Sequence, residues 1–308
     1  MSFEQKKIFY SGLQVRLLWP FITIILILIL GELIIVDPFG RLLSFLGLSQ
    51  SQTSNAHEWS PAVYEFLKRT LRSLIVILAV WIPIKYLMKR PFSFIGFTLN
   101  KRWFSQLSIG VFLGFVIQVS ALLLMTLFGW YGIEGFLWDF LFIGALLPAL
   151  LYAFVMSTEI SIFEEFVFRG FIMNTLKERY NLKIGVLVSS IIFGLLHFSG
   201  FANEFPWWLS IVSATIAGFI FAQAYLLFNN IWVPLGLHFA WIFTAQILGT
   251  DGLSIEEACF LVTKVDGPIL LVVTKAGGAS IFELIGMGLC SFIIFLIKRI
   301  NYKHGPTN

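Results

Sequence analysis

Long apolar runs separated by short polar segments make up most of this chain. Eight of them are candidates for helices that cross a bilayer, which takes about 20 residues. Their bounds are Leu17–Val36, Leu71–Leu87, Leu107–Trp130, Phe140–Phe163, Ile184–Phe198, Trp207–Phe228, Trp232–Leu248 and Ile281–Ile297. The pattern therefore predicts an all-α fold, a polytopic transmembrane helical bundle with about eight spans.

The first run is too long for the apolar region of a signal peptide, and no small-residue cleavage site follows it. We therefore expect it to remain as a helix. If the N-terminus is cytoplasmic, most of the 21 Lys and Arg residues fall in cytoplasmic segments. Because positive charge favours the cytoplasmic side, both termini are predicted to be cytoplasmic. Segments 37–68 and 249–278 are the main predicted soluble loops.

Composition agrees with a membrane protein. The chain of 308 residues is 58% hydrophobic and only 12% charged, and its mean hydropathy is +0.88, which excludes the ordinary soluble globular class. The formal net charge is +4, but basic residues beside apolar spans are typical of membrane topology and do not indicate a nucleic-acid partner. The two cysteines lack the paired spacing of a zinc or redox motif.

One segment, SIFEEFVFRGF at residues 161–171, places three charges next to an apolar run. Each charge at the centre of a bilayer costs roughly 3 kcal/mol on insertion scales, so the charges must be paired or functional. Helical spacing places Glu165 and Arg169 on one face, four residues apart. Glu164 points about 100° away and has no partner on its own helix. A structural ion-pair network is the alternative interpretation.

The next apolar run, which contains IIFGLLHF, offers a partner for Glu164. The polar segment 177–183 is the predicted turn of a helical hairpin. Glu164 lies 17 residues before Asn181 and His197 lies 16 residues after it. Because rise per residue is constant in a helix, an antiparallel hairpin brings both to the same height. Taken alone, a histidine such as His197 is more often a packed, hydrogen-bonded core residue.

His238, about two turns beyond the polar corner at residues 229–230, is the third candidate and lies at a compatible depth. A carboxylate and a neutral imidazole can take a proton from water, which then attacks a carbonyl group. A cation and a second imidazole nearby can stabilise the oxyanion. One Glu with two His is also a set of ligands that zinc accepts, although the HExxH spacing is absent.

Two other acidic residues, Glu159 and Glu32, are interpreted as a supporting or interfacial carboxylate and a side chain that snorkels outward, respectively.

Three motifs carry a family resemblance: Glu164-Glu165-x-x-x-Arg169, Phe193-x-x-x-His197 and His238. In order and placement they resemble those of the CAAX prenyl protease and bacteriocin-processing (CPBP, or Abi) family of intramembrane proteases. The segment GPILLVVTKAGGASIFELIG is also similar to the tail of bacterial members. The resemblance divides the chain into an N-terminal region with two transmembrane helices (1–91), a CPBP-like protease domain (92–300) and a cytoplasmic tail (301–308).

The resemblance implies a membrane-bound endopeptidase in which Glu164 and His197 activate water, while Arg169 and His238 hold the oxyanion. Glu165 and Phe193 would be supporting residues. The family was formerly described as metalloproteases, and the resemblance now implies a glutamate-type mechanism without a metal; zinc stays the alternative cofactor. The implied setting is a bacterial plasma membrane, with membrane lipid and a peptide or membrane-protein substrate as partners. The oligomeric state stays open.

The chain departs from the family at one position. The third motif usually ends with Asn or Asp four residues after its His, and this chain has Ile242 there. Loss of one oxyanion donor costs on the order of 3 kcal/mol. A non-catalytic membrane scaffold or regulator that keeps the family fold is therefore the alternative function. A proton-coupled transporter is a third, but it predicts an internal repeat, and the sequence shows none.

Overall fold

The computed structural model describes residues 19–48, 58–198, 207–249, 260–268 and 280–303. Within these ranges eight apolar helices follow one another along the chain. They are α1 (Trp19–Phe45), α2 (Trp59–Leu87), α3 (Trp103–Leu127), α4 (Ile143–Arg179), α5 (Leu182–Leu195), α6 (Trp207–Phe228), α7 (Trp232–Leu248) and α8 (Ile281–Lys303). Two short helical segments, Phe92–Ile95 and Leu137–Phe140, lie between them.

The prediction of an all-α polytopic bundle is confirmed. Five helices, α1 to α4 and α6, are long and apolar enough to cross a membrane, and α5, α7 and residues 281–296 of α8 form shorter apolar helices. Large apolar side chains remain on the outside of the bundle, including Phe45 at 87% exposure and Leu127 at 81%. Such a surface suits a lipid environment. The predicted cytoplasmic N-terminus and the last residues of the tail lie outside the described residues.

The predicted loop at residues 37–68 is shorter than expected. Helix α1 continues to Phe45, and α2 already begins at Trp59. A π-helical turn, Glu32–Val36, directly precedes the helical segment that contains Pro38. Since proline lacks a backbone N–H, a change in hydrogen-bond spacing before it lets the helix continue. The sequence signal of a helix end at Asp37 was therefore wrong.

A small antiparallel sheet was not predicted. Strand β1 (Tyr131–Phe136) pairs with β2 (Leu261–Val265), with Tyr131 opposite Val265 and Phe136 opposite Leu261. The register shifts between Ile133 and Gly135. The sheet joins the segment before α4 to the segment after α7, and the Tyr131 hydroxyl donates to the Leu248 carbonyl at the end of α7.

Glycines let α3 and α7 pack with their backbones in close approach. A Cβ atom added at Gly110 or Gly114 of α3 would collide with backbone carbonyls of α7, and one added at Gly236 of α7 would collide with the Leu107 carbonyl of α3. Small residues at such contacts are a general feature of helix association in membranes. This packing fixes the position of α7, which carries His238.

Ion pairs connect α1 and α2 to α4. Arg69 contacts Glu159 at 2.5 Å and Glu65 at 2.8 Å, while Arg72 contacts Glu32 at 2.5 Å and Glu159 at 3.4 Å. Glu32 thus pairs with Arg72 of the neighbouring helix and keeps 37% of its side chain exposed. Glu159 is 7% exposed and joins two arginines of another helix, which fits a supporting carboxylate. Sequence spacing did not reveal the pairs of Glu32 and Glu159 because their members lie on separate helices.

Candidate active site

The acidic pair Glu164 and Glu165 lies in α4, where the helix changes from α-helical to π-helical geometry. Its α-helical part ends at Glu164, and a π-helical segment, Glu165–Met173, follows. The predicted pairing of Glu165 with Arg169 is present, with Arg169 Nη1 donating to Glu165 Oε1 at 2.9 Å. Beyond the segment, Asn174 donates from Nδ2 to the Gly170 carbonyl at 3.0 Å. The predicted span that ended at Phe163 is therefore too short, because the charges lie inside a continuing helix.

Arg169 is buried behind the site. Its side chain is 1% exposed and its guanidinium carbon lies 4.3 Å and 4.7 Å from the ring centroids of Phe193 and Phe221. This is cation–π geometry on two aromatic rings. Arg169 does not line the cavity that contains Glu164. The structure thus places Arg169 against Glu165, next to the residues that line the cavity but not among them.

The α4–α5 hairpin brings His197 to Glu164, as the residue count predicted. Asn181 caps α5 by accepting a hydrogen bond from the Ile184 N–H. Helix α5 ends at Leu195, so His197 lies in the turn that follows and not within the predicted span. Its Nδ1 lies 2.7 Å from the Phe193 carbonyl, and its Nε2 lies 3.8 Å from Glu164 Oε1.

His238 on α7 lies between the two carboxylates of α4. Its Nε2 is 3.5 Å from Glu164 Oε2, and its Nδ1 is 3.0 Å from Glu165 Oε1. The imidazole stacks on Phe221 with ring centroids 4.6 Å apart. Since both ring nitrogens face carboxylate oxygens, the ring donates to both only when it is doubly protonated. Glu165 therefore holds both His238 and Arg169.

A cavity of about 280 Å³ opens beside this cluster. Glu164, His197 and His238 line it. The side chains of Glu164 and His197 are 15% and 18% exposed, so the cavity reaches the surface. Much of the remaining wall is apolar, formed by Met156, Ile160, Phe193, Ala214, Trp241, Ile242 and Ala245. The sequence-predicted residues Glu164, His197 and His238 are thus brought to one water-accessible space inside an apolar bundle.

Three polar residues of the cavity wall were missed by the sequence analysis: Gln118, Gln246 and Glu283. Glu283 on α8 is 2% exposed and accepts hydrogen bonds from Gln118 Nε2 at 2.6 Å and Trp241 Nε1 at 2.8 Å. A carboxylate near the start of the last apolar run was the available signal. The same argument that selected Glu164, the cost of a charge in an apolar span, applies to it.

The described residues contain no group of three or more His, Cys, Asp or Glu side chains arranged to hold a metal ion. Glu164, His197 and His238, the set considered for zinc, face one another at 3.5 Å and 3.8 Å.

These features define the chain as a multi-pass membrane protein with a buried Glu–His site. A family model described as type II CAAX prenyl endopeptidase Rce1-like matches residues 145–244. The match runs from the start of α4 into α7 and includes Glu164, Glu165, Arg169, His197 and His238. It confirms the resemblance to CAAX-type intramembrane proteases predicted from the sequence. No curated protein and no solved structure matched this chain.

Proposed function

We propose that this protein is an intramembrane endopeptidase that hydrolyses a peptide bond in or near the membrane. The observation that carries the proposal is the convergence of Glu164, His197 and His238 on one cavity within the bundle. The family match supports the class of activity. Membrane lipid forms the surroundings, and the substrate is a peptide or a membrane protein. A bacterial plasma membrane is the proposed location.

Glu164 is the proposed base. Its Oε2 is buried and forms no hydrogen bond with the described residues, which leaves it available to accept one from water. A proton moves from water to Glu164, and the water oxygen bonds to the carbonyl carbon of the peptide. The same carboxyl group then gives its proton to the amide nitrogen as the C–N bond breaks. The products are a new carboxyl group and an amine.

His197 is the proposed second group on the water. When its Nδ1–H donates to the Phe193 carbonyl, the lone pair of Nε2 faces Glu164 and the cavity. The backbone contact thus selects the tautomer that can accept a hydrogen bond from water. Phe193 supports the site twice, through this carbonyl and through its ring, whose centroid lies 4.5 Å from that of His197.

His238 is the proposed oxyanion donor in its doubly protonated form, in which Nδ1–H donates to Glu165 and Nε2–H faces the cavity beside Glu164. Arg169 has a different proposed role from the one that the resemblance implied. It holds Glu165, and Glu165 in turn holds Nδ1 of His238. Arg169 and Glu165 are therefore positioning residues that act through His238.

A non-catalytic scaffold is the second candidate, and one observation favours it. Ile242 lines the cavity on the helix that carries His238, where the family motif has a hydrogen-bond donor. An apolar side chain there offers nothing to a developing oxyanion. The scaffold candidate predicts a stable protein with no turnover of any peptide.

The test compares purified wild-type protein with Glu164→Gln and His197→Ala on a library of membrane-spanning peptides. Cleavage by the wild type and its loss in both variants is the expected result. Cleavage that persists in either variant would exclude the assignment, and no cleavage by the wild type favours the scaffold.

Parallel reactions of the wild-type protein with a zinc chelator test whether zinc, the alternative cofactor, is required. Full activity after chelation is expected.

A further inference from the structure

A second, polar cavity lies between α1 and α2, remote in sequence from the site above. Its volume is about 400 Å³, and its walls are formed by Asp37, Gly40, Arg41, Ser44, Tyr64 and Lys68. The four α1 residues recur at helical spacing and form one face, and the two α2 residues lie four apart on the facing helix. Two complementary helix faces thus enclose it.

The opposite side of this part of α1 is apolar and exposed. Leu42, Phe45 and Leu46 are 50%, 87% and 66% exposed. Trp59, at the start of α2, is 52% exposed, and tryptophan is typical of the boundary between lipid and water. The cavity therefore lies where a lipid-facing surface meets polar side chains.

The cavity carries two cations that the protein does not neutralise by pairing. Neither Arg41 nor Lys68 forms an ion pair within the described ranges, whereas Arg69 and Arg72 on the same helix as Lys68 are both paired. Glu32 attracts Lys68 electrostatically, but its carboxylate is held by Arg72. The carboxylate of Asp37, also in the wall, partly offsets the positive charge.

Gly40 keeps the cavity open. A Cβ atom at this position would lie 2.6 Å from the Tyr64 hydroxyl, which is closer than real contacts allow. Because glycine leaves this space, Tyr64 packs against α1 and forms the buried part of the wall, where it is 2% exposed. The hydroxyl of Ser44, which is exposed, completes the polar rim.

We propose that this cavity binds the phosphate-bearing headgroup of an anionic phospholipid. Arg41 and Lys68 contact the phosphate, since guanidinium and ammonium groups are the usual phosphate partners. The acyl chains lie along the apolar side of α1, over Leu42 and Phe45. A free phosphate shares the headgroup's charge but gains nothing from that apolar surface, so the lipid is the occupant that both features fit.

The test is native mass spectrometry of the full-length protein in neutral detergent, titrated with phosphatidylglycerol or phosphatidylcholine. The wild type is expected to prefer phosphatidylglycerol. Arg41→Gln with Lys68→Gln should lower that affinity about tenfold or more. Lys101→Gln with Arg102→Gln, which removes the same charge from exposed positions outside the cavity, should leave it unchanged. Asp37→Asn should raise it, a gain that misfolding cannot produce.

Equal losses in the two double variants would show attraction by net charge alone and would overturn the proposal. So would an absence of preference for phosphatidylglycerol, or an unchanged affinity in Asp37→Asn. Inorganic phosphate is added as a competitor in a separate titration. Displacement of the lipid by millimolar phosphate would assign the cavity to a free anion instead of a lipid. Lipid binding is measured without any cleavage, so the outcome does not depend on the proposed protease activity.

Discussion

Glu164 and Glu165 are neighbours in the sequence with different surroundings in the structure. Glu165 is fully buried and contacts the cation Arg169 at 2.9 Å. Glu164 lines the cavity, keeps 15% of its side chain exposed and contacts only imidazoles at 3.5 Å and 3.8 Å. These surroundings fit a structural role for Glu165 and agree with the proposed role of Glu164 as the base.

Glu165→Gln should destabilise the protein by about 3 kcal/mol, because it leaves the buried Arg169 without its counter-charge. Glu164→Gln removes a carboxylate that forms no close ion pair with a described Lys or Arg side chain, and it should change stability little while abolishing cleavage. Thermal unfolding in detergent measures both. Adding Arg169→Gln to Glu165→Gln should recover part of the loss, since no buried charge then remains unpaired. Equal destabilisation by the two single variants would contradict the division of roles.

Ile242→Asn should raise the cleavage rate, by up to about a hundredfold, if the cavity lacks only an oxyanion donor at this position. Initial rates on a cleaved peptide measure the effect. Ile242→Val keeps the wall apolar and serves as the control, with no increase expected. An unchanged or slower rate in Ile242→Asn would show that the missing donor does not limit turnover.

At the residue scale, the sequence identified three of the groups that the structure brings together. Glu164 and His197 were found because the rise per residue in a helix is constant. The heights of two residues in a helical hairpin can therefore be compared by counting residues from the connecting loop. The burial of Arg169 could not be predicted, since it depends on rings of Phe193 and Phe221 from two other helices. Glu283 was missed although its charge in an apolar run was visible.

Among the elements, the pairing of α3 with α7 determines where His238 and Ile242 lie. Gly114 on α3 faces the backbone of α7 at Leu237 and Trp241. Glycines on both helices allow the close approach that fixes the register of this contact. The helices themselves were predicted from hydropathy, but their partners were not, because apolar runs carry little information about which neighbours they meet.

Gly114→Ala should force α3 and α7 apart, lower stability by about 1–3 kcal/mol and reduce cleavage, since α7 carries His238. Gly288→Ala on α8 is the matched control, because no atom lies within 4 Å of the added Cβ. It should be neutral or slightly stabilising, as alanine is the better helix former. Unfolding midpoints and initial rates of both variants test this; a neutral Gly114→Ala would argue against tight packing here.

The two strands were not predicted either, because the sequence does not show which distant segments pair. The β1–β2 pair joins segments more than a hundred positions apart, in regions that hydropathy marks only as connections between spans. Short strands with one partner leave too weak a pattern to be separated from loops. Long apolar helices, in contrast, are the elements that a sequence indicates most clearly.

For the whole molecule, ion pairs connect the first two helices to the helix of the site, since Glu159 binds α2 directly and Arg72 of α2 binds Glu32 of α1. Glu159 lies five residues before Glu164 and contacts both Arg69 and Arg72 of α2. The sequence separated residues 1–91 from the protease-like region 92–300, a division that stays a prediction. Membrane class and bundle architecture followed from composition and periodicity; these connections between distant helices did not.

Glu159→Gln should lower stability by about 2 kcal/mol, because two partly buried arginines lose their shared carboxylate while Arg69 keeps Glu65 and Arg72 keeps Glu32. Arg90→Gln provides the control. It breaks the exposed pair of Arg90 with Glu178, whose side chains are 48% and 46% exposed, and such surface pairs contribute about 1 kcal/mol or less. Chemical or thermal unfolding in detergent measures the loss of stability in Glu159→Gln and in Arg90→Gln. A similar small loss of stability in both variants would mean that the ion pairs of Glu159 do not stabilise the bundle.

The central claim is that Glu164 and His197 act together on one water molecule. A double-mutant cycle on the cleavage rate tests it most directly, using Glu164→Gln, His197→Ala and the double variant on one peptide. If both groups activate the same water, each single change removes nearly all activity and the double variant is no slower than the worse single variant. Losses that multiply, or a single variant with the wild-type rate, would contradict the account.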